Sequence, residues 1–169
     1  MKAVWVVLAI VVALALQTTL ARFVMRGTIA IDLVLVVVVA VALTFGPVPG
    51  LLTGTAAGLA QDALSSGVIG IGGLSKTVVG FLAGVIATQF IVAQPFPRFV
   101  VFFAATLVQA VIFMGLYMVL DVQQFGAPLA AVTGQALGNA VVGVVAFQLV
   151  ELLPGAVERR RTQKARIRR

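Results

Sequence analysis

Three charged side chains interrupt segments that are otherwise almost free of ionisable groups: Asp32, Asp62 and Lys76. A charge surrounded by apolar groups is costly, so it is expected to be paired, to line an ion pathway or to lie near an aqueous interface. Asp62 and Lys76 flank one short glycine-rich loop, so their side chains start from the same end of two neighbouring segments. We therefore predict an Asp62–Lys76 ion pair, with a proton or ion relay as the alternative.

Asp32 lies near the start of a valine-rich segment. Two interpretations are open: it is partly hydrated at a membrane interface, or it lies at a helix N-terminus, where the macrodipole stabilises an anion by a few tenths to about 1 kcal/mol. Four amide side chains follow in later apolar segments, Gln109, Gln135, Asn139 and Gln148. We predict that they form interhelical hydrogen bonds worth about 1 kcal/mol each, and a polar cavity is the alternative.

The residue types needed for catalysis are scarce. The chain has no cysteine and no histidine, which removes disulfides, thiolate metal ligands and the commonest general base. It has no cluster of carboxylates, and its glycine-rich run at 67–73 lacks the Gly-Lys-Ser/Thr ending of a phosphate-binding loop. We therefore predict a protein that is not an enzyme, with no catalytic, metal-binding or cofactor-binding residues and no cofactor.

The composition predicts an integral membrane protein. Hydrophobic residues make up 62% of the 169 residues and charged residues 10%, whereas a soluble domain has about 25% charged residues. Six apolar segments are each long enough to cross a hydrocarbon layer roughly 30 Å thick. They cover 3–21, 29–45, 48–66, 74–93, 98–120 and 128–152. The predicted fold is a compact all-α bundle of six transmembrane helices in a single domain, 1–153, followed by a basic cytoplasmic tail, 154–169.

The basic residues predict the orientation. Seven of the twelve lie in the tail: Arg159, Arg160, Arg161, Lys164, Arg166, Arg168 and Arg169. With six spans, Lys2 and Arg98 fall on the same side as the tail, which leaves Arg22, Arg26 and Lys76 opposite. Lys and Arg accumulate on the cytoplasmic side, so we predict both termini inside.

The net charge of +7 arises largely from this tail. Beside a membrane span it indicates topology and contact with anionic lipids, at about 1 kcal/mol per nearby cation, rather than nucleic-acid binding. A cytoplasmic protein partner is a further alternative. A cleaved signal peptide is the competing interpretation of the first apolar segment, but that segment is longer than a usual signal core and five more follow.

Glycines recur at helical spacing in three of the predicted spans. Residues four apart lie on one helix face, and small residues there let two helix backbones approach closely. These glycines are Gly50, Gly54, Gly58, Gly80, Gly84, Gly134 and Gly138. We predict that they pack helices within the bundle, and docking of another membrane protein is the alternative.

The segment 31–84 resembles the core of the bacterial rod shape-determining protein MreD family. That family shows Pro-Asp before a leucine- or valine-rich span, a Gly-Pro turn, repeated glycines ending in Gly-Leu-x-x-Asp, a glycine-rich loop and a Gly-Tyr/Phe-x-x-Gly span. Here Ile31 stands where the family usually has the proline. The matching residues here are Asp32, Gly46-Pro47, Gly58-Leu59 with Asp62, Gly70-Ile71-Gly72, and Gly80-Phe81 with Gly84.

The resemblance implies a non-enzymatic scaffold or regulatory subunit of the bacterial elongation machinery in the inner membrane, where it helps to control cell shape and peptidoglycan synthesis. The implied partners are MreC and, in wider assemblies, the MreB filament and synthases of the RodA/penicillin-binding protein type. The family is also similar in predicted fold to the S-components of energy-coupling-factor transporters. The alternative function is therefore a vitamin-type substrate-binding subunit of a transporter.

Overall fold

The described part of the chain folds as six α-helices. The structure, a computed structural model, describes the backbone of residues 2–24, 31–65, 68–90, 92, 94–121 and 129–167, and the side chains within 4–19, 31–65, 68–90, 92, 94–121 and 129–150. The helices are α1 (Lys2–Val24), α2 (Leu33–Phe45), α3 (Pro47–Leu64), α4 (Ile71–Gln89), α5 (Pro95–Val119) and α6 (Leu129–Ile167). Each corresponds to one predicted apolar segment, which confirms the all-α fold class.

The second helix is the centre of the fold. Its sequence, LVLVVVVAVALTF, is apolar on every side. This pattern is typical of a helix that is buried on all sides. Accordingly, α2 contacts each of the other five helices. Val34, Val38 and Val39 are completely buried in it. One hydrophobic cluster joins α2 to α4, α5 and α6, and a second joins it to α1 and α3.

Three helical segments in the described part of the chain are long and apolar enough to cross a membrane. They are Ile71–Gln89, Pro95–Val119 and Leu129–Val150. Val4–Thr19 and Leu33–Phe45 are shorter apolar helices. At 13 residues α2 is roughly 20 Å long, less than a hydrocarbon layer. The predicted start of this span at residue 29 is wrong, because Asp32 forms the N-cap and the helix begins at Leu33.

Proline and glycine set the turns between helices. Gly46 has φ +93° and lies between α2 and α3, a backbone conformation that favours glycine, and Pro47 follows as the first residue of α3. Pro95 likewise begins α5, three residues before its predicted start, because a missing backbone N–H is harmless in a first turn. At the other end of the chain, α6 runs to Ile167, beyond its predicted end at residue 152.

The helices pack in neighbouring pairs along the chain. The contact between α3 and α4 is the most extensive, followed by that between α5 and α6. In the second pair, Gly143 lies against the ring of Phe102, and the Arg98 guanidinium lies 4.1 Å from the centre of the Phe147 ring. The buried Arg98 also donates from Nε to the Val92 carbonyl oxygen at 3.2 Å. The first two of these contacts hold α6 beside α5.

Candidate functional site

The first turn of α2 is buried inside the bundle, and its N–H groups are satisfied by side chains. A helix N-terminus leaves several N–H groups without a partner in the helix, and away from water each needs another acceptor. The Asp32 N–H donates to Asn139 Oδ1 at 2.9 Å, and the Val34 N–H donates to Gln17 Oε1 at 3.2 Å. The Leu35 N–H donates to Asp32 Oδ1 at 3.0 Å. Side chains from α1 and α6 and the Asp32 N-cap therefore complete this helix end.

The charge of Asp32 is neutralised by Lys76. Lys76 Nζ lies 2.8 Å from Asp32 Oδ2, and both residues are 3% exposed. Of the two interpretations of Asp32, the one at a helix N-terminus is confirmed, because Asp32 is the N-cap of α2 and is buried. The contact with Lys76 corrects another prediction. Lys76 pairs with Asp32 rather than with Asp62, because α4 crosses α2 at that helix end and brings the ammonium group to the buried carboxylate.

Side chains on α5 and α6 continue the hydrogen bonds around Asp32. Gln109 Nε2 donates to Asp32 Oδ2 at 3.2 Å, and Asn139 Nδ2 donates to Thr106 Oγ1 at 3.2 Å. The predicted interhelical hydrogen bonds of Gln109 and Asn139 are thus confirmed. Gln148 is instead exposed on α6. We refer to Gln17, Asp32, Lys76, Thr106, Gln109 and Asn139 as the polar cluster.

Asp62 caps the helix that follows it. Its Oδ2 accepts the Gly70 N–H at 2.8 Å and the Gly73 N–H at 3.0 Å, both at the start of α4. The buried carboxylate therefore lies at the positive end of the α4 macrodipole, which favours an anion. Each aspartate that the sequence singles out holds a helix N-terminus: Asp32 that of α2 and Asp62 that of α4.

Five of the predicted glycines lie where α3 and α4 meet. At these positions the backbone of one helix directly contacts the other helix. A Cβ on Gly50 would meet the Gly80 carbonyl oxygen, and one on Gly54 would meet the Lys76 carbonyl oxygen. A Cβ on Gly58 would meet the Gly73 Cα, and one on Gly84 would meet Pro47. The two helices are therefore antiparallel with glycine facing glycine, and a hydrogen bond of 2.7 Å between Thr55 and Thr77 crosses the same contact. This arrangement confirms internal packing for Gly50, Gly54, Gly58, Gly80 and Gly84.

The remaining predicted residues lie on α6 or in the tail that follows. Gly134 and Gly138 are half-buried on α6, on the face that also carries the exposed side chains of Val141 and Val145. Gln135, on the same helix, lines a cavity with Gln109. The basic residues from Arg159 to Arg166 belong to the helical backbone of α6, but their side chains, like all of Arg168 and Arg169, lie outside the described residues.

One end of the bundle contains a cavity of about 420 Å³. Its walls come from the later parts of α1, α3 and α5 and from the first turns of α2, α4 and α6, so it lies at the end away from the start of α1. Asp32 and Lys76 form part of the wall, as does Asp62. Of the amides for which the sequence left a cavity open as an alternative, Gln109 and Gln135 line this one.

Sequence reasoning overlooked three of the polar residues at this end. Gln17 and Gln61 each lie near the end of a predicted span, where a polar residue is unremarkable by itself, and Thr106 hydrogen-bonds within its own helix as well as to Asn139. The available signal was the position of the two glutamines: they occur near the ends of the first and third spans, which meet at one end of an antiparallel bundle.

The comparison with family models decides the membership of this chain. The model described as rod shape-determining protein MreD matches residues 1–154 of the 169 residues. The chain belongs to the MreD family. Neither the curated proteins nor the solved structures contain a significant match to it.

Membership of the MreD family gives the chain its general role. It is a cell-shape membrane protein of the rod-shape machinery, in a family of shape-determining proteins rather than of known enzymes. The match ends within α6, at residue 154. It therefore includes every residue of the polar cluster and the whole glycine contact between α3 and α4. The family resemblance in segment 31–84 is thereby confirmed.

Proposed function

We propose that this MreD-family chain is a non-enzymatic scaffold of the elongation machinery, which binds an MreC-like partner in the inner membrane and helps to control peptidoglycan synthesis. The observation that carries the proposal is the family match over residues 1–154. The placement of the charges supports it. Asp32 and Asp62 cap helix ends and Lys76 neutralises Asp32, which suits a rigid bundle.

The proposed bundle spans the membrane six times, with both termini in the cytoplasm and the tail 154–169 beside anionic lipid. In this arrangement the short α2 needs no lipid contact, because the other five helices surround it. The MreB filament and a RodA/penicillin-binding protein synthase are proposed as more distant members of the same assembly.

The face of α6 that carries Gly134 and Gly138 suits a partner helix. Small residues there would let a second backbone approach, while Leu137, Val141 and Val145 offer exposed apolar side chains beside them. The glycines between α3 and α4 do not offer such a face, because each already contacts the other helix. We therefore assign the docking role to α6 within this proposal.

Cysteine cross-linking tests the scaffold proposal in a chain that has no cysteine of its own. Gly134→Cys and Gly138→Cys are each combined with single cysteines along the span of an MreC-like partner in membranes. We expect disulfide-linked heterodimers from both positions. Val111→Cys on α5, which is 72% exposed, is the matched lipid-facing control and should give none. Failure of both Gly134→Cys and Gly138→Cys to cross-link at any position of the partner span would contradict docking at this face of α6.

The cavity favours a second candidate, a vitamin-type substrate-binding subunit with an S-component-like fold. A cavity of about 420 Å³ has the size of a small-molecule site. The two candidates are separated by purification with an MreC-like partner and by uptake assays. A vitamin bound at sub-micromolar concentration, with uptake that depends on a partner energising subunit, would favour the transporter over the scaffold.

A further inference from the structure

Glutamines from four helices converge on the cavity. Gln17 of α1, Gln61 of α3, Gln109 of α5 and Gln135 of α6 all line it. Each amide presents a donor and an acceptor side by side, which is the pattern that matches hydroxyl and amide groups of a ligand. Packing of apolar helices requires no such convergence, so the cavity needs an explanation of its own.

The charges in the cavity wall are already compensated. Lys76 pairs with Asp32, whose carboxylate also accepts hydrogen bonds from Gln109 and from the Leu35 N–H. Asp62 accepts two N–H groups from the first turn of α4. A charged ligand would enter without an opposite charge to meet it, and would have to be desolvated. The wall therefore favours a neutral polar ligand.

Two wall residues retain an acceptor without a donor. In the described part of the chain, the buried oxygens Gln61 Oε1 and Gln109 Oε1 have no hydrogen-bond partner. The orientation of the Gln109 amide is fixed, because its Nε2 donates to a carboxylate that cannot donate in return. Buried acceptors are normally satisfied, so both glutamines have an acceptor to offer, and a ligand with O–H or N–H donors would reach it once the side chain turns toward the cavity.

An aromatic pair forms an apolar part of the same wall. The rings of Phe113 and Tyr117 are 4.8 Å apart and inclined at 40°, and both residues line the cavity. Ring faces of this kind accept C–H groups of a ligand by dispersion and weak C–H contacts. The wall thus combines amides for hydroxyl groups with aromatic carbon for a C–H face.

We propose that this cavity binds a neutral sugar-like group, rich in hydroxyl or amide groups and with one apolar face. The volume of about 420 Å³ suits a group of one or two rings. The same chemistry can come from a free sugar or from the head group of an uncharged glycolipid. The site is distinct from the α6 docking face, so it holds whether or not the chain binds an MreC-like partner.

The single tyrosine of the chain is a reporter in the cavity wall. The full chain is labelled with 3-fluorotyrosine, which gives one ¹⁹F resonance from position 117, and is placed in phosphatidylcholine nanodiscs. One arm titrates N-acetylglucosamine, which carries both hydroxyl and amide groups. The other arm replaces part of the lipid with monogalactosyl diacylglycerol. A saturable shift in the first arm identifies a free sugar, and a shift in the second alone identifies a lipid head group.

Two variants test the residues of the site. Gln61→Leu and Gln135→Leu should each raise the Kd about five- to tenfold, the loss of roughly one hydrogen bond. Gln61→Leu should not lower the thermal stability, because it removes an acceptor that has no partner. Gln148→Leu, the same change at an exposed position of α6, should leave the Kd unchanged.

Three results would overturn the proposal. The first is the absence of a saturable shift with either sugar probe. The second is a saturable shift with glutamate or spermidine in place of the sugars, which would mean that the wall selects charge. The third is an equal loss of affinity in Gln148→Leu, which would place binding outside the cavity. None of these results depends on cross-linking to an MreC-like partner.

Discussion

Asp32 shows why an apolar bundle carries a buried charge at all. Helix α2 begins within the protein, so its first N–H groups cannot turn to water and need acceptors from side chains. A carboxylate is a strong acceptor for a helix N-terminus, but its charge must then be neutralised. Lys76 provides the opposite charge, and Gln109 provides a further donor. The polar cluster is thus the consequence of one helix that starts in the interior.

Removal of the lysine alone should be the most harmful change in this cluster. Lys76→Met leaves the Asp32 carboxylate buried without its counter-ion, and we expect a loss of about 3–5 kcal/mol in the free energy of unfolding. The double variant Asp32→Asn/Lys76→Met should recover most of that loss, because asparagine caps a helix as well as aspartate and leaves no charge to neutralise. Reversible unfolding in mixed micelles measures both.

The charge-swapped pair provides the control for this cycle. Asp32→Lys/Lys76→Asp keeps the opposite charges but places a lysine at the N-cap, where it cannot accept the Leu35 N–H. It should therefore remain destabilised. Full recovery by the swap would mean that the ion pair matters and the N-cap does not.

Asp62 should behave as a cap and not as one half of an ion pair. Asp62→Ala removes the acceptor for the Gly70 and Gly73 N–H groups and should cost about 0.5–2 kcal/mol. Asp62→Asn keeps an acceptor and should cost much less. Thermal denaturation of the two variants in detergent compares them. Equal losses from both would indicate that the charge itself is required, as the predicted Asp62–Lys76 pair would have it.

At the scale of single residues, the sequence indicates which side chains are special but not their partners. Asp62 and Lys76 are 14 positions apart across one loop, and that proximity suggested the pair. The actual partner Asp32 lies on another helix, and Asn139 reaches Asp32 from a sequence separation of 107 residues. Such contacts depend on which helices become neighbours, and hydropathy does not contain that information.

At the scale of the helix, the close contact of α3 with α4 depends on glycines, which have no side chain to hold the two backbones apart. Gly54 lies against the carbonyl oxygen of Lys76, so the same contact that brings the two helices together also positions the lysine beside Asp32. Spacing alone predicted this role correctly, because residues four apart share a face in any helix.

A large side chain at this contact should separate the two helices. Gly54→Leu is expected to destabilise the fold by about 1–3 kcal/mol or more, because backbone atoms cannot move aside as a flexible side chain can. Gly115→Leu on α5 is the matched control: a Cβ there meets nothing within 4 Å, and leucine favours the helix over glycine. Thermal unfolding in detergent should separate the two variants, and similar stabilities would contradict the close α3–α4 contact.

Helix boundaries were less predictable than the helices themselves. The apolar run that contains α2 begins before Asp32, and a window based on hydropathy counts residues on both sides of it. The N-cap of Asp32 decides where the helix starts, and that depends on a tertiary hydrogen-bond network. The predicted span 98–120 starts after both prolines of α5, although a helix tolerates proline in its first turn.

At the scale of the whole molecule, the two ends of the bundle differ in chemistry. One end contains the cavity, the polar cluster and Asp62. The other contains Arg98, whose guanidinium lies over the Phe147 ring and donates to the Val92 carbonyl oxygen. Sequence predicted the number of helices and the polar residues of several spans. It could not predict the cavity, because a cavity arises only when the ends of six helices are placed together.

The difference between the two ends leads to a test of orientation. Ser65 is exposed beside the cavity end, and Gln94 is exposed at the opposite end, just before α5. In a chain without cysteine, Ser65→Cys and Gln94→Cys each introduce a single thiol. In the proposed six-span arrangement nine basic residues lie on the side of Gln94 and three on the other, so the positive-inside bias predicts that Gln94 is in the cytoplasm. A membrane-impermeant maleimide should then label Ser65→Cys in intact spheroplasts and Gln94→Cys only after permeabilisation.

Both variants carry the same thiol in the same chain, so each serves as the control for the other's reactivity. The reverse pattern would place the cavity on the cytoplasmic side. Labelling of both thiols in intact spheroplasts would mean that the chain between them does not cross the membrane an odd number of times. The expected pattern would open the cavity to the side where the peptidoglycan lies, within reach of neutral sugars and of glycolipid head groups in the outer leaflet.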